Sequence, residues 1–245
     1  MTLTHPAAHL FAGWDETMIW SCLDGTMGTV FCSDDGNSAV AELADFAFYA
    51  GIPDKGLFTR QFSRNFMLLV PQNEAWADAI EEFYGDIVSK NIRYATKKTT
   101  EGFDLQKLRR ITANLPEGCV LREVDEEIFR ISKQTPWMHD WTDQFADYEQ
   151  FRRLGLGAVL LLNGKIVSGA STYTRYSGGL EIQIDTHREF RSRGFASITG
   201  AALMLMALER GLYPSWDAAN PISLRLAEKL GYRFSHTYTA YALCR

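Results

Sequence analysis

The residues best suited to chemistry lie in the run Asp185-Thr186-His187-Arg188-Glu189-Phe190-Arg191-Ser192-Arg193-Gly194-Phe195-Ala196, read together with Asn220-Pro221-Ile222-Ser223 further on. An apolar strand leads into a basic turn with one glycine and then directly into a long apolar helix. That order presents backbone N–H groups, backed by the positive end of the helix dipole, to an anion. Arg193, Gly194, Phe195 and Ala196 supply converging donors, and Gly194 permits close approach because it has no side chain. Arg188 or Arg191 adds a guanidinium for phosphate. The ligand that fits is a diphosphate, so this part of the chain is expected to bind a phosphate-bearing carrier.

The elements that must hold this run in place are legible around it. Asn163-Gly164, the preferred pair for a two-residue type I′ turn, joins strands Ala158–Leu162 and Ile166–Ser171 as an antiparallel hairpin. Ser177-Gly178-Gly179 returns the chain into a strand from Leu180 to Thr186, with Ile182 and Ile184 on one face and Glu181, Gln183 and Asp185 on the other. The helix after the turn reaches Arg210, and Pro214 to Ala218 forms a short strand. Asn220 caps a helix from Pro221 to Leu230 that Gly231 closes, and Tyr232 to Leu243 reads as a final pair of strands. Upstream, Thr135 to Asp143 places Trp137 and Trp141 beside His139, Asp140 and Asp143. Such a loop lines a pocket or anchors itself to the core with its aromatics, and both readings stand.

The first half of the chain carries no comparable motif. Lys97-Lys98 and Arg109-Arg110 read as a solvated face, Asp34-Asp35-Gly36-Asn37 as a turn rather than metal ligands, and the apolar run Ala39 to Ala50 alternates imperfectly. Leu115-Pro116-Glu117-Gly118 is the strongest boundary signal. It gives two domains, residues 1–117 and residues 118–245.

Composition bounds the function classes. The 245 residues are 46% hydrophobic, enough for a substantial core, and a net charge of −5 argues against nucleic-acid or acidic-membrane binding. Cys22, Cys32, Cys119 and Cys244 have neither metal-ligand nor redox spacing, so no metal is expected. The start, Met1 to Pro6, lacks the basic and apolar regions of a secretory signal, and the longest apolar run, Ala201 to Leu208, is too short for a bilayer. A cytoplasmic location is expected.

Taken in order, these elements and motifs resemble the GCN5-related N-acetyltransferase (GNAT) superfamily, in its bacterial form with a long N-terminal domain. Arg191-Ser192-Arg193-Gly194-Phe195-Ala196 matches the family's Gln/Arg-x-x-Gly-x-Gly/Ala motif, and Asn220, Ser223, Leu226, Lys229, Gly231 and Tyr232 match the spacing of its second motif. The resemblance implies an α/β (α+β) fold: a C-terminal GNAT domain with a mixed central sheet flanked by helices, after a smaller α/β domain, for which a degenerate GNAT-like half is left open. It implies transfer of acetyl from acetyl-CoA to a primary amine of a small molecule, by direct transfer in a ternary complex. The backbone of Ile184 and Thr186 would meet the pantetheine arm. Arg191, Arg193, Gly194, Phe195, Ala196, Asn220 and Ser223 would meet the rest of the carrier.

For catalysis the resemblance points to Glu181 as base. The family's proton-donating Tyr is replaced by Ala227, which leaves Tyr238, Tyr241, Ser215 and His236 as candidates, Tyr238 foremost, or a thiolate that departs unassisted. Trp137, Asp140 and Trp141 would border the acceptor. No nucleic acid or membrane partner is expected, and a homodimer is left open. Two alternatives remain: a non-catalytic acyl-CoA-binding regulatory module, motivated by Ala227, and an aminoacyl-tRNA-dependent transferase with tandem GNAT-like domains.

Overall fold

The computed structural model describes residues 5–62 and 64–244; most of the stretch read for a secretory signal, residues 1–4, lies outside them. The chain divides into two compact units, Met1–Tyr94 with His236–Arg245, and Ala95–Ser235.

The first unit contains α1 (Thr17–Asp24), β1 (Thr29–Cys32), β2 (Ser38–Leu43), β3 (Phe46–Gly51), β4 (Phe66–Pro71), α2 (Glu74–Tyr84) and most of β5 (Val88–Thr96). The second contains α3 (Leu105–Ala113), β6 (Cys119–Glu123), α4 (Glu126–Gln134), α5 (Tyr148–Leu154), β7 (Gly157–Leu162), β8 (Lys165–Tyr176) and β9 (Gly179–Thr186). It continues with α6 (Phe195–Glu209), β10 (Tyr213–Ser215), β11 (Asp217–Ala218) and α7 (Pro221–Leu230). β12 (Phe234–Cys244) then runs back into the first unit.

In the first unit β1, β2 and β3 form an antiparallel meander, β3 and β4 run parallel, and β12 lies antiparallel to β4. The apolar run from Ala39 to Ala50 is therefore a hairpin. It folds back at Ala44, whose φ of 57° is unusual for a residue with a side chain, and both strands are buried almost throughout. A turn without glycine and two strands without a solvent face explain why the run shows no clean alternation. The expected strand pair after Tyr232 is instead the single strand β12, which has no Gly or Pro between residues 234 and 244 to break it. Tyr49, Trp76, Ile80 and Tyr241 centre the core of this unit.

The second unit has the sheet order β10-β9-β8-β7-β6. Strands β6 to β9 are antiparallel, β9 and β10 parallel. The β7–β8 turn is built as expected, with Asn163 at φ 50° and Gly164 at φ 80°. One face of the sheet is covered by α6, with α3 and α7 against it. Helix α6 is apolar around most of its circumference because it is buried on several sides. Gly200 sits at its closest approach: a Cβ there would lie 2.9 Å from Leu230 and 3.2 Å from Ile184. Ile111 and Leu115 join the cluster formed by Leu160, Val167, Phe195 and Ile198. Since α3 packs on α6, the expected boundary at 117/118 falls inside the second unit.

On the other face of the sheet a 3-10 turn, Pro136–Trp141, lies against β8 and β9. Trp141 is fully buried over Gly169, where a Cβ would come within 2.4 Å of the indole ring.

Candidate active site

β9 pairs with β8 along its whole length but with β10 only over Gly179 to Glu181. Beyond the Glu181–Ser215 pair the parallel strands part. β10 ends at Ser215, and Thr96 Oγ1 donates to the carbonyl of Trp216 at 2.6 Å, drawing the chain toward β5. Among the described residues, the edge of β9 away from β8 has no strand neighbour from Ile182 to Thr186, which leaves backbone groups open there. Glu181 closes the start of this gap. It is buried, and its Oε1 accepts from the backbone N–H of Asp217 at 2.5 Å. Ser215, opposite Glu181 in the register, is also buried, and its Oγ accepts from Lys98 Nζ at 3.0 Å. The phenol of Tyr176 is pushed well above its ordinary range, first by burial and then by the neighbouring Glu181 and Tyr213.

The basic turn stands at the other end of β9. Ser192 (φ 63°) and Gly194 (φ 81°) both adopt left-handed conformations, which aims successive N–H groups to one side. α6 begins at Phe195 with no side-chain cap, because Gly194 has none to offer. Every other described α-helix has a side-chain oxygen at its N-terminus: Glu16, Asn73, Asp104, Asp125, Asp147 and Asn220. The first N–H groups of a 15-residue helix are thus left open to an incoming anion. Arg191, Ser192, Arg193 and Gly194 are exposed, and Arg191 Nε donates to the Thr186 carbonyl at 3.2 Å, which fixes one guanidinium at the end of β9. Phe195 presents its N–H here while its ring enters the core.

The second motif holds structure together. Asn220 Oδ1 accepts from the N–H groups of Ile222 and Ser223, both at 3.0 Å, and Ser223 Oγ accepts from Trp216 Nε1 at 3.0 Å. Ala227 is fully buried. Among the candidate donors, Ser215 stands opposite Glu181. Tyr238, half-buried beside His236, and Tyr241, which donates to the Glu81 carboxylate, belong to the first unit.

The third grouping lies where the 3-10 turn meets β9. Trp137 stands edge-on to Trp141 at 5.1 Å and to His187 at 5.3 Å. His139 lies 3.3 Å from Asp143 and 3.9 Å from Asp140, whose side chain is exposed. Asp185, opposite Gly169 in the register, accepts from Gln183 Nε2 at 2.9 Å. Its carboxyl is pushed up from 3.8 to about 6, first by burial and further by the charge of Asp140, while Gln183, Trp141 and Arg191 act in the opposite sense.

Sequence reasoning missed two participants. Lys98, assigned to a solvated face, is half-buried against Ser215, a contact across more than a hundred residues that local pattern does not encode. Asp185 was assigned to the polar face of its strand, but the covering turn that desolvates it is invisible to a period-two count.

A family description, GNAT acetyltransferase, matches residues 8–241. The chain belongs to that family. It is similar to YdfB of Bacillus subtilis (strain 168), an uncharacterized N-acetyltransferase, at 25% identity over 249 residues, covering 92% of this chain and 89% of the relative. The crystal structure of a GCN5-related N-acetyltransferase-like protein from Streptococcus suis 89/1591 is 46% identical and superposes with a TM-score of 0.92, covering 97% of this chain and 96% of that one. A GCN5-related N-acetyltransferase from Kribbella flavida shares the fold at 13% identity, with a TM-score of 0.57 and coverage of 98% and 96%. The two mixed sheets flanked by helices are thus a GNAT architecture. Among the described residues no helix is long and apolar enough to cross a membrane.

Proposed function

We propose that this chain transfers an acetyl group from acetyl-CoA to a primary amine of a small molecule, directly and within a ternary complex. The observation that carries the reading is the uncapped N-terminus of α6 behind the left-handed Ser192 and Gly194, at the end of a strand whose free edge leads back to a buried carboxylate. Arg191, Arg193 and the N–H groups of Gly194, Phe195 and Ala196 fit a pyrophosphate, and the edge of β9 at Ile184 and Thr186 fits the pantetheine arm. Acetyl-CoA supplies the activated acyl group as a thioester. Glu181 takes the proton that the acceptor ammonium must lose. Trp137 and Asp140, joined by Asp185, border the acceptor, and their acids and the Trp137 ring suit a cationic amine, while the fully buried Trp141 acts from behind by holding Trp137 in place. Asn220 and Ser223 act through the position of α7 and Trp216.

The decisive experiment measures acetyl-CoA consumption against a panel of amines, polyamines and amino-bearing antibiotics, alongside calorimetric binding of CoA. Glu181→Gln should lower kcat by about 10²-fold or more while CoA affinity is kept. The buried Ala227 favours a second reading, a non-catalytic acyl-CoA-binding module. That reading gains if CoA binds tightly and no amine is acetylated.

The first unit is proposed as a degenerate half of the same fold. Its meander, parallel strand and following helix (β1 to β4, then α2) repeat the connections of β7 to β10 and α7. Where the second unit has the cradle and α6, the described residues of the first have the 3-10 turn Lys55–Phe58.

A further inference from the structure

We propose that Ser215, held by Lys98, receives the departing sulfur of CoA as a thiolate and so replaces the hydroxyl that Ala227 lacks. The inference rests on the acetyl-CoA reading above.

Its basis is geometric. Ser215 is the last residue of β10 and stands opposite Glu181, at the closed end of the gap between β9 and β10. Any arm that fills the gap to its end lies against these two side chains. The Lys98 ammonium has only protons to give, so in the 3.0 Å contact the Ser215 oxygen is the acceptor and its own O–H remains available to donate. A hydroxyl polarised by a cation is a strong partner for a sulfur anion, and a buried site magnifies the effect. Lys98 is half-buried, so its charge is not desolvated outright.

The step balances without a further reactant. The acceptor ammonium gives one proton to Glu181, the amine nitrogen then bonds to the thioester carbonyl carbon, and the second nitrogen proton passes to water as the amide forms. The carbon–sulfur bond breaks and its electron pair stays on sulfur. The thiolate is then held by the Ser215 O–H with the Lys98 charge behind it. Lys98 acts as the charge behind the hydroxyl, and sulfur takes its proton from water on release. Ser215 is the catalytic residue here; Lys98 is a positioning residue that acts through it.

The test needs no acceptor. CoA and desulfo-CoA are titrated into the full-length protein between pH 6 and 9, and the ratio of their affinities is followed. For the wild type the ratio should rise with pH as the bound thiol ionises, with the midpoint about one pH unit lower than in Ser215→Ala, a tenfold difference in ionisation. Lys98→Met, a change at a partly exposed position, should give the same displacement and guards against a folding defect in Ser215→Ala. With an amine substrate, Ser215→Ala should lower kcat about 10²-fold and leave KM for acetyl-CoA within twofold. Identical pH curves in wild type and Ser215→Ala overturn the proposal, as does a displacement caused by Tyr238→Phe and not by Ser215→Ala. If the wild type binds neither nucleotide, the acetyl-CoA reading fails first.

Discussion

Replacing Asp185 by Asn should stabilise the protein at neutral pH and leave it unchanged in acid. The Asp185 carboxyl is pushed up from 3.8 to about 6, mainly by burial, on a strand that the turn carrying Trp141 packs against. The raised folded-state value means that the stability associated with this group is fully present below pH 4, falls as pH rises through 6, and is flat above. A displacement of about two pH units corresponds to about 3 kcal/mol at pH 7.5, as an order of magnitude. An asparagine oxygen still accepts from Gln183, and its amide can donate toward Asp140, so the substitution relieves the charge without stranding a neighbour. Urea unfolding of both proteins at pH 4, 5, 6 and 7.5 should give curves that coincide at pH 4 and separate progressively by pH 7.5, the variant being more stable. A constant difference across the range, or a variant less stable at pH 7.5, would refute the reasoning. A carboxylate kept at such a cost is expected to serve function, so Asp185→Asn should also raise KM for a cationic acceptor.

Gly169→Ala drives a methyl group into the rigid, buried ring of Trp141 and should destabilise by about 1–3 kcal/mol, read by thermal unfolding. Asn220→Ala removes the acceptor for two N–H groups of α7 and should cost about 1 kcal/mol. Gly194→Ala meets no neighbouring atom but must hold a φ of 81°. It should cost about 1–2 kcal/mol while weakening CoA binding more than the lost stability explains, measured by calorimetry.

What was legible in the sequence and what was not divide along a physical line. Turns and caps depend on residues a few positions apart, so the Asn163-Gly164 hairpin, the Asn220 cap and the Gly231 closure are all found where their local chemistry puts them. The cradle belongs to the same class, since strand, turn and helix are consecutive. The hairpin hidden between Ala39 and Ala50 escaped because Ala44 turns the chain without a turn residue. The β12 strand was split in two because no local signal states how long a paired strand runs. Contacts between distant segments escaped altogether: Lys98 on Ser215, and the turn over Asp185. These two contacts shape the polar surroundings of the candidate site, which were therefore less legible than the consecutive strand, turn and helix.

The strand β9 joins both halves of that chemistry through its alternation alone. Ile184 points to Gly200 of α6, and Thr186 Oγ1 reaches Ser168 Oγ at 2.8 Å, which in turn meets Thr199 of α6 at 3.3 Å. Glu181, Gln183 and Asp185 take the opposite face, toward Ser215 at one end and Trp141 at the other. Four residues at about 3.3 Å each separate Glu181 from Asp185 by about 13 Å along the strand. A shift of register by one residue would exchange the two faces, bury three polar groups against α6 and expose the isoleucines. The β-bulge that disturbs the pairing falls on β8, between Thr172 and Thr174, so β9 itself keeps its alternation intact from Glu181 to Thr186. An unbroken strand that turns apolar residues to the helix and acids to the other face keeps the Glu181 and Asp185 carboxylates in one line, so the two ends of the candidate site are tied to a single register.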